Sequence, residues 1–249
     1  MNAIILAGGD KEDGFARRHG VANKALIPIN NQAMLDYVFR ALSGSRLIET
    51  IILVGPATLC ASYASARVTV QSDTGDMVKN CLAAMALLPQ DKKVVVATSD
   101  IPMITTAVVD AYLASLAEKK GDFFYPIIPR EVNEKLYPGV KRTYATLGGR
   151  TYTGGNLLVI DPKVAVKVAR RLERFIAHRK NILALSAMIG YRFLVKLLMG
   201  QLTLPEVEER MSELLACHCV AVECPYAEIG TDVDKDSDLA LARRVLSGA

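Results

Sequence analysis

The sequence predicts an α/β fold of three layers, helices on both sides of a mainly parallel central sheet, with a helical insertion. Three observations predict it. Short β-branched runs alternate with longer segments whose apolar residues recur at helical spacing, the pattern of βαβ units. Runs such as Val94-Val95-Val96-Ala97 are apolar on both faces, as strands covered by helices on either side must be. Gly, Ser and Asp punctuate the strand ends. Together these make the architecture Rossmann-like.

The elements follow in order. Asn2–Ala7 reads as a buried strand and Gln32–Leu42 as the first helix. Thr50–Val54 and Val68–Val70 are strands. Met77–Leu88 is a helix, Lys93–Ala97 a strand, and Thr105–Ala117 a helix capped by Thr105 or Thr106. Phe123–Gly155 breaks the pattern. Its Pro126, Pro129 and Pro138, followed by Gly139, Gly148, Gly149, Gly154 and Gly155, predict a long irregular or hairpin region. Loops of that length are often functional. Leu157–Ile160 is a strand again. Pro162–Leu215 is almost wholly helical and is read as an insertion over residues 162–216. Cys219–Glu223 is a late strand, and Ser237–Leu246 a last helix capped by Asp236 or Ser237. No repeat, low-complexity tract or linker divides the chain, so residues 1–249 parse as one domain.

Composition bounds the function. The 249 residues suffice for one large α/β domain, and 51% hydrophobic with 22% charged residues excludes global disorder. Thirty Lys and Arg against 26 Asp and Glu leave a net charge of +4. That excess is small and scattered, which argues against nucleic acid as a partner. There is no Trp and only 6% of residues are aromatic, so stacking platforms are scarce. Five Cys are too few, and odd in number, for a disulfide scaffold; a reducing cytoplasm is expected. No basic segment precedes an apolar run with a cleavage site, so no signal peptide is expected. Ile182–Met199 is the most membrane-like stretch, but Gly190, Tyr191, Arg192 and Lys196 interrupt it. A buried or interfacial helix is expected there and no membrane span, with a homo-oligomer contact as another use of that surface.

Five segments carry candidate chemistry. Leu6-Ala7-Gly8-Gly9 follows the first strand, with Lys24 downstream. Two glycines at a strand end let backbone N–H groups approach a phosphate chain, and a lysine supplies a compact positive charge. The spacing fits neither GxGxxG nor GxxxxGK[ST], and a plain β-turn is the alternative. Thr98-Ser99-Asp100-Ile101-Pro102 closes another strand, where ligands of open parallel sheets bind; Asp100 could hold Mg²⁺ against phosphate oxygens or merely shape an Asx turn. Asp232 and Asp234 in Thr231-Asp232-Val233-Asp234-Lys235-Asp236 share a face if extended and could join Asp100 around the same ion. Asp236 and Asp238 read instead as a helix-capping acidic turn. Gly75, Asp76 and Asn80 open a helix where a base or ribose could meet backbone donors, or form an ordinary first turn. Gly154, Gly155 and Asn156 suit a close substrate contact or a β-bulge.

Taken together, LAGG with a lysine in NKALIPI, the GDMVKN segment, SDIPM and a closing DVDKDSDL resemble the MobA-like nucleotidyltransferases, in the wider group of GT-A-type pyrophosphorylases. The four motifs stand in the right order over Asn2–Leu241. The resemblance implies a nucleotide-diphospho-sugar transferase type of fold and the reaction NTP plus acceptor phosphate giving an NDP-linked product and pyrophosphate. It implies that Leu6 to Gly9 hold the nucleotide, joined by Gly75, Asp76, Asn80 and Ser99, and that Lys24 contacts the phosphates. It makes Asp100 a metal ligand, with Asp234 or its close competitor Asp232 as the second, and Mg²⁺ the cofactor. The TGGN segment resembles a subgroup, which puts Gly154, Gly155 and Asn156 toward the acceptor. The family pattern has an Arg four residues past the second Gly; here Asp13 stands there, and Arg17 and Arg18 follow in a longer loop, from which either could reach back to the triphosphate and join Lys24 and Asp100 as a catalytic residue.

The mechanism expected is in-line attack of an acceptor phosphate oxygen on the α-phosphorus, with catalysis by positioning and charge neutralisation. Two alternatives remain open at this stage: a nucleotide-sugar-dependent glycosyltransferase on the same scaffold, which would want a mid-chain DxD, and a nucleotide-binding protein without catalysis. Cys217-His218-Cys219 with Cys224 faintly suggests zinc, but strand alternation puts the two cysteines on one face and His218 on the other. Arg170, Arg171, Arg174, Arg179 and Lys180 read as a solvated helix face.

Overall fold

A computed structural model of the chain describes residues 1–9, 13–178 and 190–248. In chain order, β1 (Asn2–Leu6) leads to a short helix α1 (Gly14–Arg18), a 3-10 turn at Lys24–Leu26, the small hairpin β2 (Pro28–Ile29) and β3 (Gln32–Ala33), and α2 (Met34–Ser43). Then come β4 (Ile51–Gly55), α3 (Ala57–Cys60), β5 (Val68–Ser72), α4 (Met77–Ala86), β6 (Val94–Thr98) and α5 (Thr106–Ala114). The second half holds β7 (Phe123–Pro129), α6 (Arg130–Leu136), β8 (Ala145–Leu147), β9 (Arg150–Gly154) and β10 (Leu157–Ile160). It ends with α7 (Pro162–His178), α8 (Tyr191–Leu198), α9 (Leu204–Leu215), β11 (Cys219–Glu223), α10 (Ala227–Gly230) and α11 (Asp236–Leu246).

The main sheet runs β5-β4-β1-β6-β10-β7, and β7 pairs onward with β9, itself paired with β8, and with β11. β5, β4, β1 and β6 are mutually parallel, β10 is antiparallel to both β6 and β7, and β11 is parallel to β7. Alternation along the central strands builds the layers. Ile5, Leu53 and Val95 face α2 and α5, packing with Leu35, Val38, Val109 and Tyr112. Their neighbours Ile4, Ile52 and Val96 face the other way, onto Ala84 and Met85 of α4 and Ala165 and Val168 of α7. Each such fully buried aliphatic side chain contributes about 1.5–3 kcal/mol.

Two expectations need correction. Phe123–Gly155 is ordered: it contains β7, α6 and the β8–β9 hairpin. Its prolines are tolerated because the strand uses their carbonyls, Pro126 O accepting from Gly155 N at 3.0 Å. The last helix starts one residue earlier than read, with Lys235 at the N-cap and Asp236 and Asp238 in the first turn, where the helix dipole favours carboxylates. β9 and β10 line the same flank of β7 with a slip of two residues between Ile127↔Gly154 and Phe124↔Val159. TGGN is therefore a bulge. Part of Ile182–Met199, together with Arg179 and Lys180, lies outside the described residues. Among the described residues no helix is long and apolar enough to cross a membrane.

Candidate active site

The site is built where the carboxyl ends of β1 and β6 meet. Ser99 N donates to Leu6 O at 3.1 Å and Ala7 N to Val54 O at 2.7 Å, so the turn after β1 lies beside Ser99 and Asp100. Chain order reverses here, since β1 has β4 on one side and β6 on the other. Such switch points are where open α/β sheets bind ligands. Gly8 admits nothing larger: a Cβ on it would stand 2.8 Å from the Asp73 carboxylate. Asp73 is held in turn by Gly75 N at 2.8 Å and by the amide of buried Asn80, whose Oδ1 accepts from Thr74 N at 2.9 Å. A cavity of about 710 Å³ opens between these segments, lined by Leu6, Gly8, Gly9 and Lys24 on one side and Gly75, Asn80, Ser99 and Asp100 on the other.

Lys24 is the central cation. Asn23 aims it: its Oδ1 accepts from Ala25 N at 2.7 Å, capping the 3-10 turn, while its Nδ2 donates to Ala7 O at 3.1 Å. Lys24 Nζ donates to Asp100 Oδ2 at 2.8 Å and also bonds Asp234. Burial works against the ammonium charge, but the two carboxylates outweigh it and raise its pKa above 10.5. Asp232 and Asp234 reach the same point because Val233 between them is buried in a small core with Met103, Leu239 and Ala242. Its N–H donates to Asp100 O at 2.9 Å, so alternation turns both aspartates toward Asp100.

Carboxylate oxygens of Asp100, Asp232 and Asp234 lie within 4.8 Å of one another, the one such cluster with metal-like spacing among the described residues. Three hard oxygen donors, paired among the described residues with Lys24 and Arg142, fit a divalent cation of the Mg²⁺ class. Arg142, from the segment between α6 and β8, pairs with Asp232. Burial keeps the Asp232 carboxyl above its ordinary range despite that partner. Burial opposes ionisation of Asp234 too, but Lys24 prevails and holds it below the ordinary range.

Beyond Asp232 and Asp234 a second cavity, of about 730 Å³, runs from Arg142 toward α9. Gly154 and Asn156 line it; Gly155 lies buried behind, donating to Pro126 O. Other residues singled out from sequence stand elsewhere. Asp76 caps α4, accepting from Val78 N and Lys79 N at 3.0 and 3.1 Å. Asp13 caps α1, accepting from Phe15 N at 2.8 Å, and unlike Asp76 it also lines the first cavity. Arg18 lies 3.9 Å from Asp236 and packs on Phe15, and neither it nor Arg17 lines either cavity. Cys217 and Cys219 share a face with sulfurs 3.7 Å apart, and His218 does not join them.

The MobA-like NTP transferase domain family matches residues 3–190, three quarters of the chain and every strand of the site except the last acidic segment. The chain belongs to that family. It is a family of nucleotidyltransferases, and a molybdenum cofactor guanylyltransferase of Shewanella frigidimarina (strain NCIMB 400) is 31% identical over 125 residues. That match takes in 49% of this chain and 60% of the relative. A hypothetical transferase from Thermus thermophilus has a similar structure, with a TM-score of 0.86 and 36% identity over 96% of this chain and 100% of that one. A putative glucose-1-phosphate thymidylyltransferase from Bacillus anthracis, at 16% identity and TM-score 0.62 over 98% and 94% of the two chains, shares the fold. Asp13, the position where the resemblance expects an arginine, is a helix cap, and residues 10–12 between it and Gly9 lie outside the described region.

Sequence reasoning missed Asn23, Asp73 and Arg142. Asn23 had a readable signal, an N-cap residue immediately before a short apolar turn. Asp73 had a local one too, the Asx turn to Gly75, although its place against Gly8 is 65 residues away; Arg142 had none, because Asp232 is 90 residues away.

Proposed function

We propose that the protein transfers a nucleoside monophosphate from an NTP to a phosphorylated small-molecule acceptor, with Mg²⁺ as cofactor and pyrophosphate as leaving group. An acceptor phosphate oxygen attacks the α-phosphorus, a new P–O–P bond forms, and the bond to the β-phosphate oxygen breaks. The observation that carries this reading is Lys24, bonded to Asp100 and Asp234 beside the Gly8-Gly9 turn. Backbone N–H groups of Leu6 to Gly9 would hold the triphosphate, with Gly75, Asn80 and Ser99 walling the nucleoside side. Lys24 would leave its carboxylates for the departing pyrophosphate. Asp100, Asp232 and Asp234 would hold the metal, which supplies positive charge for the phosphate oxygens when bound. Among the described residues Asp76, Arg17 and Arg18 line neither cavity, whereas Lys24 does, and Lys24 is the cation we assign to the phosphates.

The test is pyrophosphate release from each NTP with Mg²⁺ and a panel of phosphorylated acceptors. Lys24→Ala and Asp100→Ala should each lose about 100-fold or more in turnover; undiminished turnover in both would sink the assignment. Metal binding has its own readout. A divalent ion at a hundred times its dissociation constant should add about 2.7 kcal/mol of stability. Asp100→Asn with Asp234→Asn should abolish the rise in melting temperature.

A further inference from the structure

Beside Gly154 and Asn156 at the acceptor end, two further side chains in the larger cavity stand out. Arg142 is only 15% exposed, and among the described residues its hydrogen bonding is limited to Nη1 and Asp232. Its Nε is buried without an acceptor. A guanidinium held in place with donors left over is suited to a tetrahedral anion, which it grips with a planar fork. Tyr125 is the second. It projects from β7, deep in the sheet, yet is 41% exposed. It overhangs Gly154, where a Cβ would stand 2.0 Å from the phenol oxygen, so the bulge residue must be glycine for the ring to lie there. Partial burial raises the phenol, and the charge of Arg142 pulls against that rise, so the two groups sit within electrostatic reach. Past Tyr125 the wall turns apolar, with Ile127, Tyr152, Val207 and Met211.

We infer that Arg142 and Tyr125 form the acceptor subsite: Arg142 binds the attacking phosphate next to Asp232, and Tyr125 packs against a flat, largely apolar acceptor body. The subsite thus takes a phosphate monoester whose body presents an apolar face to Tyr125. The inference rests on the nucleotidyl-transfer reading above. It adds that the cavity is charged at Arg142 and mostly apolar toward α9, where Leu204, Val207, Met211 and Leu215 outnumber Glu208. A cavity of 730 Å³ is of the size that holds such a molecule.

Phenyl phosphate and inorganic phosphate serve as probes, titrated calorimetrically into the full chain with Mg²⁺ and a non-hydrolysable NTP analogue. Phenyl phosphate should bind at least tenfold more tightly than inorganic phosphate. Arg142→Met should weaken both by tenfold or more, with Arg142→Lys recovering part of the loss. Tyr125→Ala should remove only the advantage of the phenyl ester, and Tyr125→Phe should keep it. Far-UV circular dichroism separates unfolding of Arg142→Met from loss of binding, and Arg142→Lys tests the fork if that variant does not fold. Equal binding of the two probes to the unmodified protein, or unchanged binding by the Arg142 variants, would overturn the inference. Failure of the NTP analogue to bind overturns the nucleotidyl-transfer reading instead, since the phosphate titrations can be run without it.

Discussion

Lys24 has three neighbours that define what it can do: Asn23 behind it and two carboxylates in front. Its raised pKa means the ion pairs contribute in full below the unfolded value of 10.5 and fade only as pH climbs through the higher folded value. A pH–rate profile should therefore show no alkaline limb from Lys24 below 10.5; one near neutrality would have to come from the metal or the acceptor. Asn23→Ala should cost about 1–3 kcal/mol, because the Ala7 carbonyl and Ala25 amide both lose their partner, and kcat should fall with the aim of Lys24. Urea unfolding and pyrophosphate release measure the two effects separately. At this scale the sequence was legible where chemistry sits on local patterns. Lys24 follows a glycine turn, Asp100 ends a strand, and the alternation around Val233 pairs Asp232 with Asp234. Arg142 was not legible, since only the folded chain brings it to Asp232. Nor was the capping role of Asp13, since the short helix α1 carries no apolar period to announce it.

Elements divide by how much of their pairing is local. The βαβ half could be read almost to its ends, since β1, β4 and β6 are apolar runs covered on both faces and α5 starts at a threonine cap. Thr105→Ala should lower stability by about 1 kcal/mol through loss of the bond from Val108 N, with no change in nucleotide affinity. β7 was harder. Its prolines signal a loop, and only the partners β10 and β11 on either flank reveal a strand in which their missing N–H groups are tolerated. Gly154→Ala is the element-scale test of β9. The new methyl must push Tyr125 aside, so acceptor half-saturation should rise severalfold while the NTP half-saturation holds.

For the molecule as a whole, three cysteine thiols distributed over separate elements report the integrity of packing. Burial raises Cys60, Cys81 and Cys224 from the ordinary value of 9 to about 11. Between pH 9 and 11 the folded chain keeps protons that the unfolded chain has released, so stability must fall as pH rises across that window. Equilibrium unfolding at pH 8, 9.5 and 11 would show the decline. Replacing the three by Ser or Ala would lessen it proportionately most between pH 8 and 9.5, since burial also raises the phenols of Tyr63, Tyr112 and Tyr137 above their ordinary value of 10, which sustains it at higher pH. The two-residue slip at Gly155-Asn156 has a different kind of consequence, one of parity. Strand faces alternate with a period of two, so an even insertion leaves inward and outward sides of β10 unchanged while an odd one exchanges them. Deleting both residues would shorten the segment yet keep Leu157 and Val159 on the α2–α5 side; deleting either alone would exchange them with Leu158 and Ile160, which pack on the α4–α7 side. This segment can therefore change length only in steps of two.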